Sequence, residues 1–390
     1  MSEAVIVAAV RTPLGRRGKA LAGIHPVDLG AHVLNAVIAR AGVEPEAVDD
    51  VMMGCVSQVG EQSWNVGRNA VLAAGWPFEV PATTVDRQCG SSQQTLHMAA
   101  AAVESGQAKM VVAAGVESMS RVPMGSSAGS SEGPDGWPYG PSVRRRFAAE
   151  PHVNIGVPVP FNQGISAELV AQKYGIDRPR MDAFALSSHQ KAQAARSSGA
   201  FAAEIAPVGE VHHDEGIRAD ATLEALAGLK PAFTEDGMVT AGTSSQISDG
   251  ASAVLVTTEE HARALGLRPI AKFKAATVVG SDPVIMLDGP IAATKQLLEK
   301  AKVSIGDVDT YEVNEAFASI PLAWMDAVGA DEAKLNPRGG AIALGHPLGA
   351  SGARLATTML HHMQAGGAQL GLQTMCEGGG MANACLLELL

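Results

Sequence analysis

Val48-Asp49-Asp50-Val51-Met52-Met53-Gly54 and, 260 positions later, Val308-Asp309-Thr310-Tyr311-Glu312-Val313-Asn314 are the stretches whose reading decides the fold. The same offset pairs Ala41 and Val43 with Ala301 and Val303, Ser91 with Ser351, Gly106 and Ala108 with Gly366 and Ala368, and Glu117 with Glu377. No gap interrupts it from Ala41 to Glu117. The pattern types agree too: helix, acidic turn, strand, Gly/Ser turn, helix, Gly turn, strand. A duplication into two pseudo-symmetric halves follows. In this register Cys89 lies opposite Gly349, three residues past His346, and Gly54 lies opposite Asn314. Chemistry is then expected at equivalent loop ends of the two halves.

Outward from the repeat, each half reads as α/β. Strand-type apolar runs are Ala4 to Val10, Val51 to Met53, Met110 to Ala114, Ala251 to Thr257 and Gln369 to Thr374. Helical patterns such as Pro26 to Ala41 and Ile291 to Ala301 separate them. That alternation predicts largely parallel sheets covered by helices. Residues 119–247 differ in character. Pro123 to Pro141 is rich in Gly, Ser and Pro and reads as a long loop running into Arg144-Arg145-Arg146; helical segments follow at Ala167 to Tyr174 and Arg178 to Ser197. The expected organisation is a first half of residues 1–118 plus 248–268, an inserted loop domain of residues 119–247, and a second half of residues 269–390.

Composition bounds the function. The chain has 390 residues, 46% of them apolar and 18% charged, enough for large buried cores in two or three units. Aromatics are only 4%, so the cores are expected to rely on close backbone approach between small side chains. A net charge of −11 argues against nucleic acid, which needs a basic face. The cysteines at 55, 89, 376 and 385 show neither CxxC nor zinc-ligand spacing, so neither a disulfide framework nor a metal site is expected. A reducing cytoplasm fits. Ala4 to Val10 is too short for a signal peptide or a membrane span, and Leu387-Glu388-Leu389-Leu390 is no peroxisomal address.

Four islands carry the chemistry: Asp86-Arg87-Gln88-Cys89-Gly90-Ser91-Ser92, Asn314-Glu315-Ala316-Phe317, Gly345-His346-Pro347-Leu348-Gly349-Ala350-Ser351-Gly352 and Cys376-Glu377-Gly378-Gly379-Gly380. Two thiols and an imidazole suit acyl transfer through a thioester, because thiolates attack carbonyls and imidazole can generate them. The glycines let backbone N–H groups approach a substrate. Cys89 opens an uncharged run from Gly90 to Val103, expected to be a buried helix whose N-terminal end favours thiolate. A packed core cysteine is the competing reading, and it suits Cys55 and Cys385 better. His346 sits on a turn after Ala341 to Leu344, whereas His212-His213-Asp214-Glu215 reads as a solvated turn. Asn314 on its own reads equally well as an Asx turn, and spacing does not link it to His346.

Together these islands, with Val85 and with Asn336-Pro337-Arg338-Gly339-Gly340-Ala341-Ile342-Ala343-Leu344, resemble the thiolase family over nearly the whole chain. The resemblance implies a five-layered αβαβα thiolase fold, a loop domain inserted in the first half, and a homodimer or homotetramer. By resemblance, Cys89 is the acylated nucleophile, His346 activates it, and Cys376 moves the proton at the α-carbon. Asn314, through a water, and His346 bind one thioester oxygen; the backbone N–H groups of Cys89 and Gly378 form a second oxyanion hole. Coenzyme A is implied as cosubstrate, with no tightly bound cofactor. Arg218 and Ser245 resemble positions that contact it, and Phe233 and Met286 resemble the lining of its pantetheine tunnel.

Asn162-Gln163-Gly164 departs from the His-Met-Gly usual in short-chain biosynthetic thiolases. With Ser245-Gln246-Ile247-Ser248-Asp249-Gly250 it looks more like degradative actinobacterial thiolases acting on longer or bulkier acyl chains, steroid side chains included. The expected activity is cleavage of a 3-ketoacyl-CoA by CoA, with acetoacetyl-CoA synthesis as the alternative. A decarboxylating ketoacyl-synthase-type enzyme would not need Cys376, and a non-catalytic lipid-binding protein would not need all four polar residues.

Overall fold

The computed structural model describes residues 3–128 and 136–390; part of the expected loop from Pro123 to Pro141 lies outside them. The first half runs β1 (Ala4–Arg11), β2 (Gly15–Arg16), α1 (Pro26–Ala41), β3 (Asp50–Gly54), α2 (Val66–Ala73), β4 (Ala82–Val85), α3 (Ser91–Glu104) and β5 (Met110–Ser118). The chain then leaves the sheet for α4 (Pro141–Arg146), α5 (Gln163–Lys173), α6 (Arg178–Ser197) and α7 (Leu223–Ala227), returning at β6 (Ser248–Thr258) and α8 (Glu259–Ala264). The second half runs β7 (Ala271–Gly280), α9 (Gly289–Ala301), β8 (Thr310–Val313), α10 (Ser319–Val328), α11 (Ala341–Leu344), α12 (Ser351–Gly366), β9 (Leu370–Glu377) and β10 (Met381–Leu389).

The repeat holds down to single bonds. Helices α3 and α12 begin at Ser91 and Ser351, and strands β5 and β9 at Met110 and Leu370. Asp49 Oδ2 accepts the N–H groups of Lys109 and Met110, as Asp309 Oδ2 accepts those of Gln369 and Leu370. Helices α1 and α9 both stop on a left-handed residue, Gly42 and Lys302.

The strand order is β4-β3-β5-β6-β1-β7-β10-β9-β8, with β2 on β6, and the two halves join where Val5 and Ile6 pair with Lys272 and Ala271. The expectation of largely parallel sheets is wrong. Among the described strands β3–β4, β3–β5 and β8–β9 are parallel, and the remaining pairs are antiparallel. Parallel pairs occur where a helix makes the crossover. β10 instead follows β9 after the three-residue turn Gly378 to Gly380, which only an antiparallel pair allows.

Helices α1 and α2 cover the outer face of the first half's sheet, α9 and α10 that of the second, and α3 with α12 fill the layer between. α3 carries no acidic, Lys or Arg residue before Glu104, as suits a helix most of whose residues are buried. Its Gln93 backbone nitrogen lies only 2.1 Å from where a Cβ on Gly352 of α12 would stand, so the two central helices meet backbone to backbone. The insert is tied in by buried ion pairs: Arg11 with Glu204 at 2.7 Å and with Asp214 at 2.6 Å, and Arg338 with Glu204 at 3.1 Å. Asp214 therefore corrects the solvated-turn reading of its stretch, while His212 and His213 are exposed. No helix among the described residues is long and apolar enough to cross a membrane.

Candidate active site

Cys89 occupies the turn between β4 and α3. This turn is wound tightly: Gln88 has φ 49°, its N–H donates to Asp86 Oδ1 at 2.7 Å, and Ser91 Oγ donates to its carbonyl at 2.6 Å. Asn314 follows the last residue of β8, and His346 follows α11 after Gly345, whose φ of 118° admits little besides glycine. Cys376 stands near the end of β9. All four side chains are buried.

The structure supplies the pairing that spacing did not show: Asn314 Nδ2 lies 3.3 Å from His346 Nε2. On the other side of the ring, Nδ1 is 2.5 Å from Ser351 Oγ, which itself donates to the Pro347 carbonyl at 2.8 Å. With its proton committed there, the hydroxyl can only accept from the imidazole. Nδ1 thus carries the hydrogen, and Nε2 keeps its lone pair towards the site. The His346 N–H donates to the Gln246 carbonyl at 3.0 Å. The Gln246 amide in turn donates to the carbonyls of Gly216 at 2.9 Å and Ile342 at 2.8 Å, linking the Arg218 loop to the histidine turn. Burial, with Arg354 nearby, pushes His346 down to about 3, so the ring is neutral.

Burial pushes the Cys89 thiol up to about 12, the Glu377 carboxyl adds to that, and the backbone N–H groups of Cys89 and Gly378, both directed at the sulfur, oppose it. Burial likewise holds Cys376 well above the ordinary thiol range, with Cys89 as the next cause. The expected thiolate at the helix N-terminus is therefore corrected, because loss of hydration outweighs the end of α3. With the Cys89 thiol and the His346 imidazole both neutral, any attack by this sulfur has to shed its proton as the new bond forms. The same two N–H groups that face the sulfur can then face an oxygen on the carbon it attacks.

Around this centre, Arg218 is exposed, its N–H donating to His189 Nδ1 at 3.1 Å. Ser245 is half-buried, and its N–H reaches the Ala316 carbonyl beside Asn314 at 2.9 Å. Phe233 is exposed and stands edge-on to Phe317 with centroids 5.7 Å apart. Met286 is buried in the core of the second half. Gln163 Nε2 lies 3.1 Å from where a Cβ on Gly378 would be, next to the N–H directed at the Cys89 sulfur. Asn162 is spent on the backbone instead: its Oδ1 caps α5, accepting from Gly164 at 2.8 Å and Ile165 at 3.3 Å. Among the described residues no group of three His, Cys, Asp or Glu side chains could hold a metal.

The family model for the thiolase N-terminal domain matches residues 4–260, and that for the thiolase C-terminal domain matches residues 267–389. The chain belongs to the thiolase family. Similar proteins include the steroid 3-ketoacyl-CoA thiolase FadA6 of Mycobacterium tuberculosis, 47% identical over all of this chain and 95% of that protein. The 3-ketoacyl-CoA thiolase FadA of Escherichia coli K12 is 45% identical over the full length of both. The crystal structure of the Bacillus anthracis acetyl-CoA acetyltransferase superposes with a TM-score of 0.89 at 38% identity, covering 100% of this chain and 99% of that one.

Sequence reasoning about this thiolase missed Ser351 and Gln246 as holders of the histidine. A signal for Ser351 existed. Its repeat partner Ser91 opens α3 as Ser351 opens α12, and each hydroxyl donates back into the preceding reactive turn. For Gln246 no sequence signal existed, since its carbonyl partners at Gly216 and Ile342 are brought together only by folding.

Proposed function

We propose that this thiolase cleaves 3-ketoacyl-CoA with CoA, giving acetyl-CoA and a shortened acyl-CoA. The Cys89 sulfur attacks C3 while its proton passes to His346 Nε2; the C2–C3 bond breaks, and the enolate of acetyl-CoA takes a proton from Cys376. CoA then enters as thiol, returns a proton to Cys376 and attacks the acyl group on Cys89, whose sulfur leaves and recovers its proton from His346. The ketone oxygen at C3 is stabilised by the N–H groups of Cys89 and Gly378, one such donor being worth roughly 3–4 kcal/mol. The enolate oxygen faces His346 and a water held by Asn314, whose buried Oδ1 has no hydrogen-bond partner among the described residues. The observation that carries this reading is the second thiol, Cys376, fully buried and close enough to Cys89 for that sulfur to help hold it protonated. Arg218 serves the CoA phosphates, with Ser245, Phe233 and Met286 along the pantetheine.

Gln163 beside Gly378 supports medium-chain or bulky substrates. Each methylene buried in an open pocket is worth roughly 0.8 kcal/mol, or close to fourfold in specificity. A thiolysis series over 3-ketoacyl-CoAs of increasing length is expected to show kcat/KM rising beyond acetoacetyl-CoA, with Gln163→Met narrowing the preference. A maximum at acetoacetyl-CoA would favour acetoacetyl-CoA synthesis instead, the reading supported by the likeness to the Bacillus anthracis enzyme. The cysteine usage supports a cytoplasmic setting. A homodimer or homotetramer is supported by β4, an edge strand flanked by exposed Trp64 and Phe78.

A further inference from the structure

Glu117 and Glu377 occupy equivalent places at the ends of β5 and β9, yet their carboxyls live differently. Glu117 Oε2 accepts the N–H groups of Val56 and Gly349 at 2.9 Å, and its Oε1 accepts from Ser57 at 3.0 Å and from Gln62 at 2.9 Å. It stitches the histidine turn of the second half onto the first. Glu377 is equally buried, but neither oxygen has a hydrogen-bond partner among the described residues.

The Glu377 carboxyl is aimed at the nucleophile turn. A Cβ on Gly90 would stand 2.0 Å from its Oε1, so the acid lies directly against the residue after Cys89. Asn383 of β10 packs at the same spot, spending its amide on the Gly90 carbonyl at 3.1 Å and leaving its Oδ1 unpartnered. Arg87 Nε is also buried without a hydrogen-bond partner among the described residues. The groups facing this cluster are Arg87, Asp86 and Cys89 from the β4–α3 turn, Cys376 from β9 itself, Glu117 of β5, whose carboxyl also acts on Cys89, and His97 of α3, on which Arg87 acts; Asn383 brings no charge.

We propose that Glu377 is a positioning residue for the acylation step: uncharged, it backs the Cys89–Gly90 turn, and once ionised it opposes negative charge on the Cys89 sulfur and at the adjoining oxyanion hole, shutting the enzyme down in alkali. The proposal rests on the thiolase reading of Cys89. Burial raises Glu377 to about 8, with Arg87 opposing and Asp86 reinforcing. The acid is thus neutral at neutral pH and charged not far above it. A like charge appearing beside a buried sulfur is poorly screened, so its effect on the thiolate is large.

The test is alkylation of Cys89 by iodoacetamide, read as mass gained by the Cys89 peptide, from about pH 6.5 to about pH 10. In the wild type the rate should climb with thiolate fraction and then bend over above about pH 8, whereas Glu377→Gln keeps climbing; the ratio between them should reach about fivefold or more by about pH 9.5. Arg87→Met should move the bend to higher pH, because the guanidinium favours the carboxylate, and it carries the test where Glu377→Gln does not fold. Parallel curves for wild type and Glu377→Gln, or a bend that stays in place in Arg87→Met, would overturn the proposal. Alkylation needs no acyl-CoA, so a bend seen without thiolysis would count against the substrate reading and leave the role of Glu377 standing.

Discussion

The lone pair of His346 is kept on Nε2 by a serine five residues further on. The Ser351 hydroxyl spends its proton on the Pro347 carbonyl, so the imidazole must carry its hydrogen on Nδ1 and present Nε2 to the site. Replacing Ser351 by Ala removes that constraint without altering the thiols. We expect kcat for thiolysis to fall about 10- to 100-fold, part of what a positioned acid–base group supplies, with KM for CoA little changed. Unchanged turnover in Ser351→Ala would refute the tautomer assignment. Because His346 is depressed to about 3, its protonation should not limit kcat/KM between about pH 5 and pH 7, where an unperturbed histidine titrates. The sign for stability follows: in that range the unfolded chain binds the proton that the folded one refuses. This site therefore makes the fold less stable as pH falls from about 6.5 towards 3. None of this is legible in Gly345-His346-Pro347, since burial and the Ser351 bond belong to three dimensions.

At the scale of elements, the central layer depends on α3 and α12 touching without side chains between them. A Cβ at position 352 would meet the Gln93 backbone nitrogen at 2.1 Å, and a buried helix backbone has nowhere cheap to move. Gly352→Ala should cost about 1–3 kcal/mol or more and lower the thermal midpoint. A midpoint equal to wild type would mean that the layer is looser than described. The helices themselves were readable from the repeat, as were the strand runs from Ala4, Val51, Met110, Ala251 and Gln369. Strand direction was not. The glycines after Glu377 read as substrate approach alone, whereas they also make the β9–β10 turn, Gly379 and Gly380 both holding positive φ. One motif performing two tasks conceals the second from a reader of sequence.

At the scale of the molecule, the proposed reactive groups come from both halves, Cys89 from the first and Asn314, His346 and Cys376 from the second. The insert is locked to them through Arg11, Glu204, Asp214 and Arg338 and reaches the histidine turn through Gln246. Arg218 stands on that insert and is exposed. Arg218→Ala should raise KM for CoA about 10-fold at low salt with little effect on kcat, and less at high salt, as for uniform binding by a screened charge. Loss of kcat alone would place Arg218 in the support of the site. The family was legible because the four reactive islands are local strings. The protonation of Cys89 and the capping role of Asn162 were not, because burial and the start of α5 decide them. The most direct test of the account is to treat the wild type with acyl-CoA in the absence of free CoA and weigh its peptides. The account predicts the acyl mass on the peptide containing Cys89 and none in Cys89→Ala; acyl mass on Cys376 or Cys385 instead would contradict it.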